Sequence, residues 1–129
     1  MAKFRALKVW QHAHALTLDL YRLTQRFPRD EQFGLTGQIR RAAVSIGANL
    51  AEGSSQSSAS FARYIGVAIG SANELEYLLQ LAMDLELLSD GSVVDRAAHL
   101  AGMLQSLRCH VLRRRKPGSE TSHQSDQLA

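Results

Sequence analysis

The chain has 129 residues, enough for one domain with a core of useful size. Its composition, 45% hydrophobic and 21% charged, is ordinary for a soluble globular protein, and its single cysteine excludes a disulfide scaffold. The net charge is only +3, yet Glu74 to Asp95 holds six acids and no Lys or Arg, while Arg96 to Lys116 holds six basic residues and no acid. Such a split suits an anionic partner, or one copy's basic end meeting another copy's acidic face. Lys3, Arg5 and Lys8 have no apolar run behind them, which argues against a cleaved signal. Uncharged stretches such as Ala42 to Ala51 fall far short of the roughly 20 apolar residues of a membrane span. A cytoplasmic location is expected.

Helix 1 is expected from Leu7 to Phe27. Trp10, Ala13, Thr17, Leu20, Tyr21, Thr24 and Phe27 recur at three- and four-residue steps, and Pro28 stops the helix. Helix 2 is expected from Leu35 to Glu52, with Gly53 as a left-handed C-terminal cap. Its core stripe is Leu35, Ile39, Ala42, Ala43, Ile46 and Leu50. Val44, Gly47 and Ala51 widen it sideways, and Arg41, Ser45 and Glu52 share the opposite side.

Helix 3 is expected from Ala59 to Leu88, capped by Ser58 or Ser60. It carries two apolar stripes. Phe61, Ile65, Ala68, Ala72, Leu75, Leu79 and Ala82 form the first; Tyr64, Val67, Ser71, Leu78, Leu81 and Leu85 form the second. One stripe suffices for a helix in a lone bundle, so two predict cover from two directions. Asp90-Gly91 signals the next turn. Helix 4 follows from Val93 to Arg114, with Val94, Ala97, Ala101, Leu104, Leu107 and Val111 inward. The expected architecture is an all-α, antiparallel up-and-down four-helix bundle over residues 1–116, assembling with copies of itself. Residues 117–129, polar and rich in serine and glutamine, are expected to be a disordered tail.

No residue pattern signals catalysis. Gly-x-Ser-x-Gly, a phosphate-binding glycine loop and His-Glu-x-x-His are all absent. His12 and His14 do not share a helix face; His99 and His110 share one but lie about 16 Å apart along it. Asp95 and His99, four apart, read as a surface pair. No metal or cofactor is expected. Cys109 reads as a half-buried structural thiol, and Gly66 and Gly70 as a point of close helix approach. Among polar residues, Arg41, Asn49, Glu52 and Glu74 stand out, because a carboxylate set among apolar stripes must be paired. They are expected to form an inter-helix or inter-subunit network with Arg40 or Arg41 as the cation; the alternatives are a small polar site and simple solvent exposure. Arg113, Arg114, Arg115 and Lys116 form the best nucleic-acid signal, assisted by Arg40 and Arg41 if exposed. A run of basic residues also suits a solvated helix C-terminus through the helix dipole.

Several stretches together are similar to one family. They are Leu7-Lys8-Val9-Trp10-Gln11; Phe27-Pro28 with Glu31 and Gly34-Leu35-Thr36; and Gln38-Ile39-Arg40-Arg41-Ala42-Ala43-Val44-Ser45-Ile46. Asn49-Leu50-Ala51-Glu52-Gly53 and Ala68-Ile69-Gly70-Ser71-Ala72-Asn73-Glu74-Leu75-Glu76 complete the set. Across roughly residues 4 to 112 the chain resembles the 23S rRNA intervening-sequence proteins, small bacterial four-helix bundles. The resemblance implies a closed bundle, a homopentameric ring and no catalytic residues. A related branch, the accessory variability determinant of diversity-generating retroelements, works with reverse transcriptase and nucleic acid. The resemblance therefore adds RNA or DNA and a reverse transcriptase as candidate partners. The expected function is a non-enzymatic binding or scaffolding bundle, with nucleic-acid binding through basic helix ends as the alternative.

Overall fold

The computed structural model of the chain describes residues 3–114. All their regular structure is helical: α1 (Lys8–Thr24), α2 (Leu35–Gly53), α3 (Ser58–Asp84) and α4 (Ser92–Arg113), with short 3-10 helices at Lys3–Ala6 and Arg29–Glu31. The helices run up and down. Arg40 of α2 reaches Thr24 at the end of α1, Ser45 of α2 meets Ser71 of α3, and Arg108 of α4 meets Ala62 near the start of α3. Arg96 of α4 closes the ring of four on Asp19 of α1 at 2.8 Å. The bundle expected from the sequence is thus present. Arg115, Lys116 and the expected tail at 117–129 lie outside the described residues.

The α2 stripe packs as expected: Leu35, Ile39, Ala42, Ala43, Ile46 and Leu50 are all buried. The inner stripe of α3 is nearly as complete, with Ile65, Ala68, Ala72, Leu75, Leu79 and Ala82 fully enclosed and Phe61 half-buried at its edge. On α1 the buried line is rotated from the expected one. Val9, Ala13, Leu16, Leu20 and Thr24 face inward, while Trp10 is half-buried and Tyr21 is exposed. On α4, Val93 and Leu100 join Ala97, Leu104 and Val111 in the core, and Val94, Ala101 and Leu107 sit at its edge. Each large aliphatic side chain so enclosed contributes about 1.5–3 kcal/mol.

Helix ends follow local chemistry. α1 stops at Thr24, not Phe27, because the amides of Gln25, Arg26 and Phe27 tighten onto carbonyls three residues back. This last turn still buries Phe27 ahead of Pro28. The Glu31 carboxylate accepts from the Leu35 amide at 3.2 Å and so occupies a free donor at the start of α2. Ser57, rather than Ser58 or Ser60, caps α3, its hydroxyl accepting from the Ser60 amide. α3 ends at Asp84, not Leu88. Glu86 takes a left-handed φ of 64° while Leu87 and Leu88 donate back to the Ala82 carbonyl. That reversal is a Schellman-type stop built on a glutamate instead of the usual glycine. At the start of α4, Asp90 Oδ1 accepts from the Ser92 amide at 2.9 Å. This bond holds the Asp90 carboxyl below the usual carboxylate range.

Two glycine expectations change. Gly53 is the last residue of α2 and has no positive φ; what it supplies is room. A Cβ there would lie 2.6 Å from Tyr64 Cβ and 3.0 Å from Phe61 Cδ1, so only glycine lets the end of α2 approach α3 this closely. Gly66 and Gly70, expected at a close helix contact, face outward. A Cβ on Gly70 would meet nothing within 4 Å, and one on Gly66 only the Arg108 guanidinium at 3.8 Å.

Candidate functional site

Three surface features concentrate the residues singled out in the sequence. The first is a polar groove of about 430 Å³ between α2 and α3, lined by Gln38, Arg41, Ala42, Ser45, Ser71 and Glu74. Its floor is a small hydrogen-bonded set. Ser45 Oγ and Ser71 Oγ lie 2.8 Å apart, and Asn49 Nδ2 donates to the Ser45 carbonyl at 2.8 Å and to its hydroxyl at 3.1 Å. Arg41 and Glu74 share the groove's walls, both exposed, without an ion pair among the described residues.

The expected network of Arg41, Asn49, Glu52 and Glu74 therefore does not form as one unit. Glu74 is not a buried carboxylate: it points outward and needs no partner. Glu52 lies eleven residues beyond Arg41, about 16 Å along the helix, and its carboxylate accepts from the Tyr64 hydroxyl at 3.3 Å. Arg40 turns the other way, toward α1. It donates to Thr24 Oγ1 at 2.9 Å and to the Tyr21 carbonyl at 3.2 Å, and its guanidinium carbon lies 4.5 Å from the centre of the Tyr21 ring. Arg40 thus ties α2 to α1 and is half-buried, whereas Arg41 is open to solvent.

The second feature is apolar. Between α1 and α2 runs a groove of about 360 Å³, lined by Phe4, Trp10, His14, Thr17, Val44, Gly47, Ala48 and Ala51. Trp10 stacks on His14 at 4.8 Å and receives the Phe4 ring edge-on at 4.9 Å. Gly47 keeps the floor low: a Cβ there would sit 3.4 Å from Trp10 Nε1. The sideways apolar extension of helix 2 was legible in the sequence as Val44, Gly47 and Ala51. The wall supplied by Trp10 was not, because that residue's periodicity placed it in the core.

Charge segregation is the third feature. The up-and-down topology brings the start of α1, the end of α2, the start of α3 and the end of α4 to one end of the bundle. Lys3, Arg5, Lys8, Arg63, Arg108, Arg113 and Arg114 gather there, with Glu52 as the lone carboxylate among the described residues. Sequence reasoning found only the α4 contribution, since the others are scattered along the chain. Arg40 and Arg41 belong to the other end, beside the last turn of α1, so the fold does not unite them with Arg113 and Arg114. That opposite end mixes Asp84, Glu86, Asp90 and Asp95 with Arg22, Arg26 and Arg29.

The remaining candidates are modest. His12 and His99, which no sequence spacing connects, meet across α1 and α4 with ring centres 6.2 Å apart. Among the described residues no three of His, Cys, Asp or Glu come together as metal ligands. Cys109 is free and half-buried. No helix among the described residues is long and apolar enough to cross a membrane.

Comparison with known proteins places the chain. No curated protein matches it significantly. Among solved structures, it is similar to a protein of unknown function of the S23 ribosomal protein family from Bacteroides thetaiotaomicron. The two share 27% identity at a TM-score of 0.70, over 78% of this chain and 94% of that one. The sequence pattern of the 23S rRNA-intervening sequence proteins matches residues 5–107. The same stretch holds all four helices up to the last turn and a half of α4. On that breadth of agreement, the chain belongs to the 23S rRNA-intervening sequence protein family.

Proposed function

We propose that the chain is a non-enzymatic scaffold that assembles with copies of itself, as a ring of five, and binds its partners on the shared surface. One observation carries this reading: the outer face of α3 leaves Tyr77 63% and Val67 54% exposed in a helix whose inner face is sealed. The two stand ten residues apart, about 15 Å along the helix, and offer another copy two apolar footholds on one rigid element. The number five comes from the family resemblance. In the polar groove the Ser45 and Ser71 hydroxyls bond to each other and Asn49 donates to Ser45, an arrangement that suits a structural role for these groups. A cytoplasmic setting goes with this reading, in keeping with the single free cysteine. Sedimentation or light scattering at micromolar concentration tests it: a mass several times the 14.2 kDa of one chain is expected, and a monomer overturns it.

A second reading, binding of RNA or DNA, is favoured by the basic end of the bundle. Cations delivered by the N-terminal segment, α1, α3 and α4 to one surface suit contact with phosphates, which gives sequence-independent affinity that falls steeply with salt. Lys3, Arg5 and Lys8 belong to this surface as much as Arg113 and Arg114. Replacing either group by Ala should weaken binding of a structured RNA and flatten its salt dependence. Undiminished affinity after both replacements removes the reading.

A further inference from the structure

Where α1 hands over to α2, a pocket of about 230 Å³ opens at the end of the bundle away from Lys3 and Arg114. The last turn of α1, the Pro28–Gln32 link and the first two turns of α2 supply its walls. Two threonines line it and differ in one respect. Thr24 spends its hydroxyl, donating to the Leu20 carbonyl at 2.7 Å and accepting from Arg40 Nε at 2.9 Å. Thr36 is only 6% exposed, yet its hydroxyl bonds to nothing among the described residues. No side-chain oxygen fully shut from solvent lacks a partner there, so the Thr36 hydroxyl faces the pocket. An enclosed donor without a partner is costly, and an acceptor seated in the pocket removes that cost.

The surroundings are those of an anion site. Thr36 stands in the first turn of α2, where the amides of Thr36 and Gly37 find no backbone acceptor and the helix dipole is positive. Arg40, one turn on and on the same face, also lines the pocket. Its bonds to Thr24 and to the Tyr21 carbonyl leave further guanidinium N–H groups free. Arg29 lines it from the short 3-10 helix, exposed and in no ion pair among the described residues. Glu31 competes for the start of the helix, but it takes the Leu35 amide and does not line the pocket. Two guanidinium groups, a hydroxyl and free amides exceed what a carboxylate can accept and suit the oxygens of a phosphate group. The volume lies below the roughly 300–1,000 Å³ of sites that enclose whole small molecules, so the phosphate would sit inside and the rest of the ligand outside.

We infer that this pocket is a phosphate site: it holds the phosphate group of a small phosphomonoester on the Thr36 hydroxyl and the start of α2, with Arg29 and Arg40 supplying the charge. It uses neither the outer face of α3 nor the basic end of the bundle, so it stands apart from both readings above.

Calorimetric titration of the full chain with inorganic phosphate, at fixed ionic strength, tests it. Saturable binding is expected, and glycerol phosphate should compete for the site while glycerol does not. Thr36→Val keeps the shape and removes the donor, and should weaken phosphate binding about tenfold or more. Arg29→Gln, at an exposed position, should weaken it similarly. Arg22→Gln, exposed and outside the pocket, should leave it unchanged; Arg40 is left intact because it ties α2 to α1. Circular dichroism confirms that each variant is folded. Absence of saturation at millimolar phosphate overturns the site, as do Thr36→Val and Arg29→Gln chains that bind like the wild type. Acetate binding as tightly as phosphate overturns the phosphate assignment. Short single-stranded DNA with and without a terminal phosphate separates the sources. Binding of DNA alone, indifferent to that phosphate and to Thr36→Val, would assign the affinity to the basic end and overturn the site.

Discussion

The two faces of α3 are made from the same helix and obey different rules. Inside, Ile65, Ala68, Ala72, Leu75 and Leu79 are fully enclosed by α2 and α4. Outside, Val67, Gly70, Glu74 and Tyr77 are exposed. A core position is fixed by its neighbours and answers to volume. An uncovered apolar position costs nothing to alter in the single chain, so its chemistry is free to serve another molecule.

That contrast is open to direct attack. Leu75→Ala, at the centre of the inner face, should lower the unfolding free energy by about 2–5 kcal/mol. Tyr77→Ala, half a turn away and outside, should change the stability of the single chain by less than about 0.5 kcal/mol. Urea unfolding at low protein concentration gives both numbers, and similar losses for the two would erase the distinction between the faces. Glycines sharpen the contrast further. Gly53→Ala forces a Cβ onto Tyr64 and should cost about 1–3 kcal/mol. Gly70→Ala enters open space and should gain about 0.5–1 kcal/mol in the single chain from better helix propensity. Opposite signs in the urea midpoints would confirm that one glycine is there for packing and the other is not.

Where the inner stripe gives out, Glu86 holds a left-handed conformation that glycine adopts without penalty. Glu86→Gly should therefore raise stability by about 1 kcal/mol, read as a higher melting temperature; a fall would mean that the glutamate side chain earns its place. The smallest effect is expected beyond that turn, at Asp90. Its carboxyl is held below the usual range by the Ser92 amide, so the charged form is favoured in the folded chain. The stability it adds is present above the unfolded pKa of about 3.9 and disappears as pH falls through the lower folded value. The gap in melting temperature between the wild type and Asp90→Ala should thus hold steady at neutral pH and close below about pH 4. A gap unchanged in acid would exclude the carboxylate as its source.

Much of the bundle was legible because periodic apolar residues bury themselves. Helix 2 is the clearest case: its small and branched side chains mark one narrow stripe, and the packing follows it residue by residue. Helix 1 misled because apolar residues surround it. Trp10 and Tyr21 suggested one face, while Val9 and Leu16 define the buried one. The end of α3 was hidden because Leu85, Leu87 and Leu88 continue the apolar pattern past the stop. A glutamate at φ 64° gives no warning in sequence.

The candidate surfaces were legible only in part, and for a different reason. A groove or charged end is assembled from residues far apart in the chain. Arg63 and Lys8 come to the same end of the bundle only through the up-and-down path. His12 and His99 meet by the same route. Conversely, Arg40 and Arg41 are adjacent in sequence but separated by the helix, one bound to α1 and one facing solvent.

The crowding of cations at one end gives the bundle a permanent electric dipole along its long axis. Rotation about a common axis preserves the direction of whatever points along that axis. In a cyclic assembly of upright bundles the dipoles would add instead of cancelling. The result would be a two-faced disc, with every basic end on one rim. A polyanion would then meet a positive annulus rather than a single patch, and would approach from that side only.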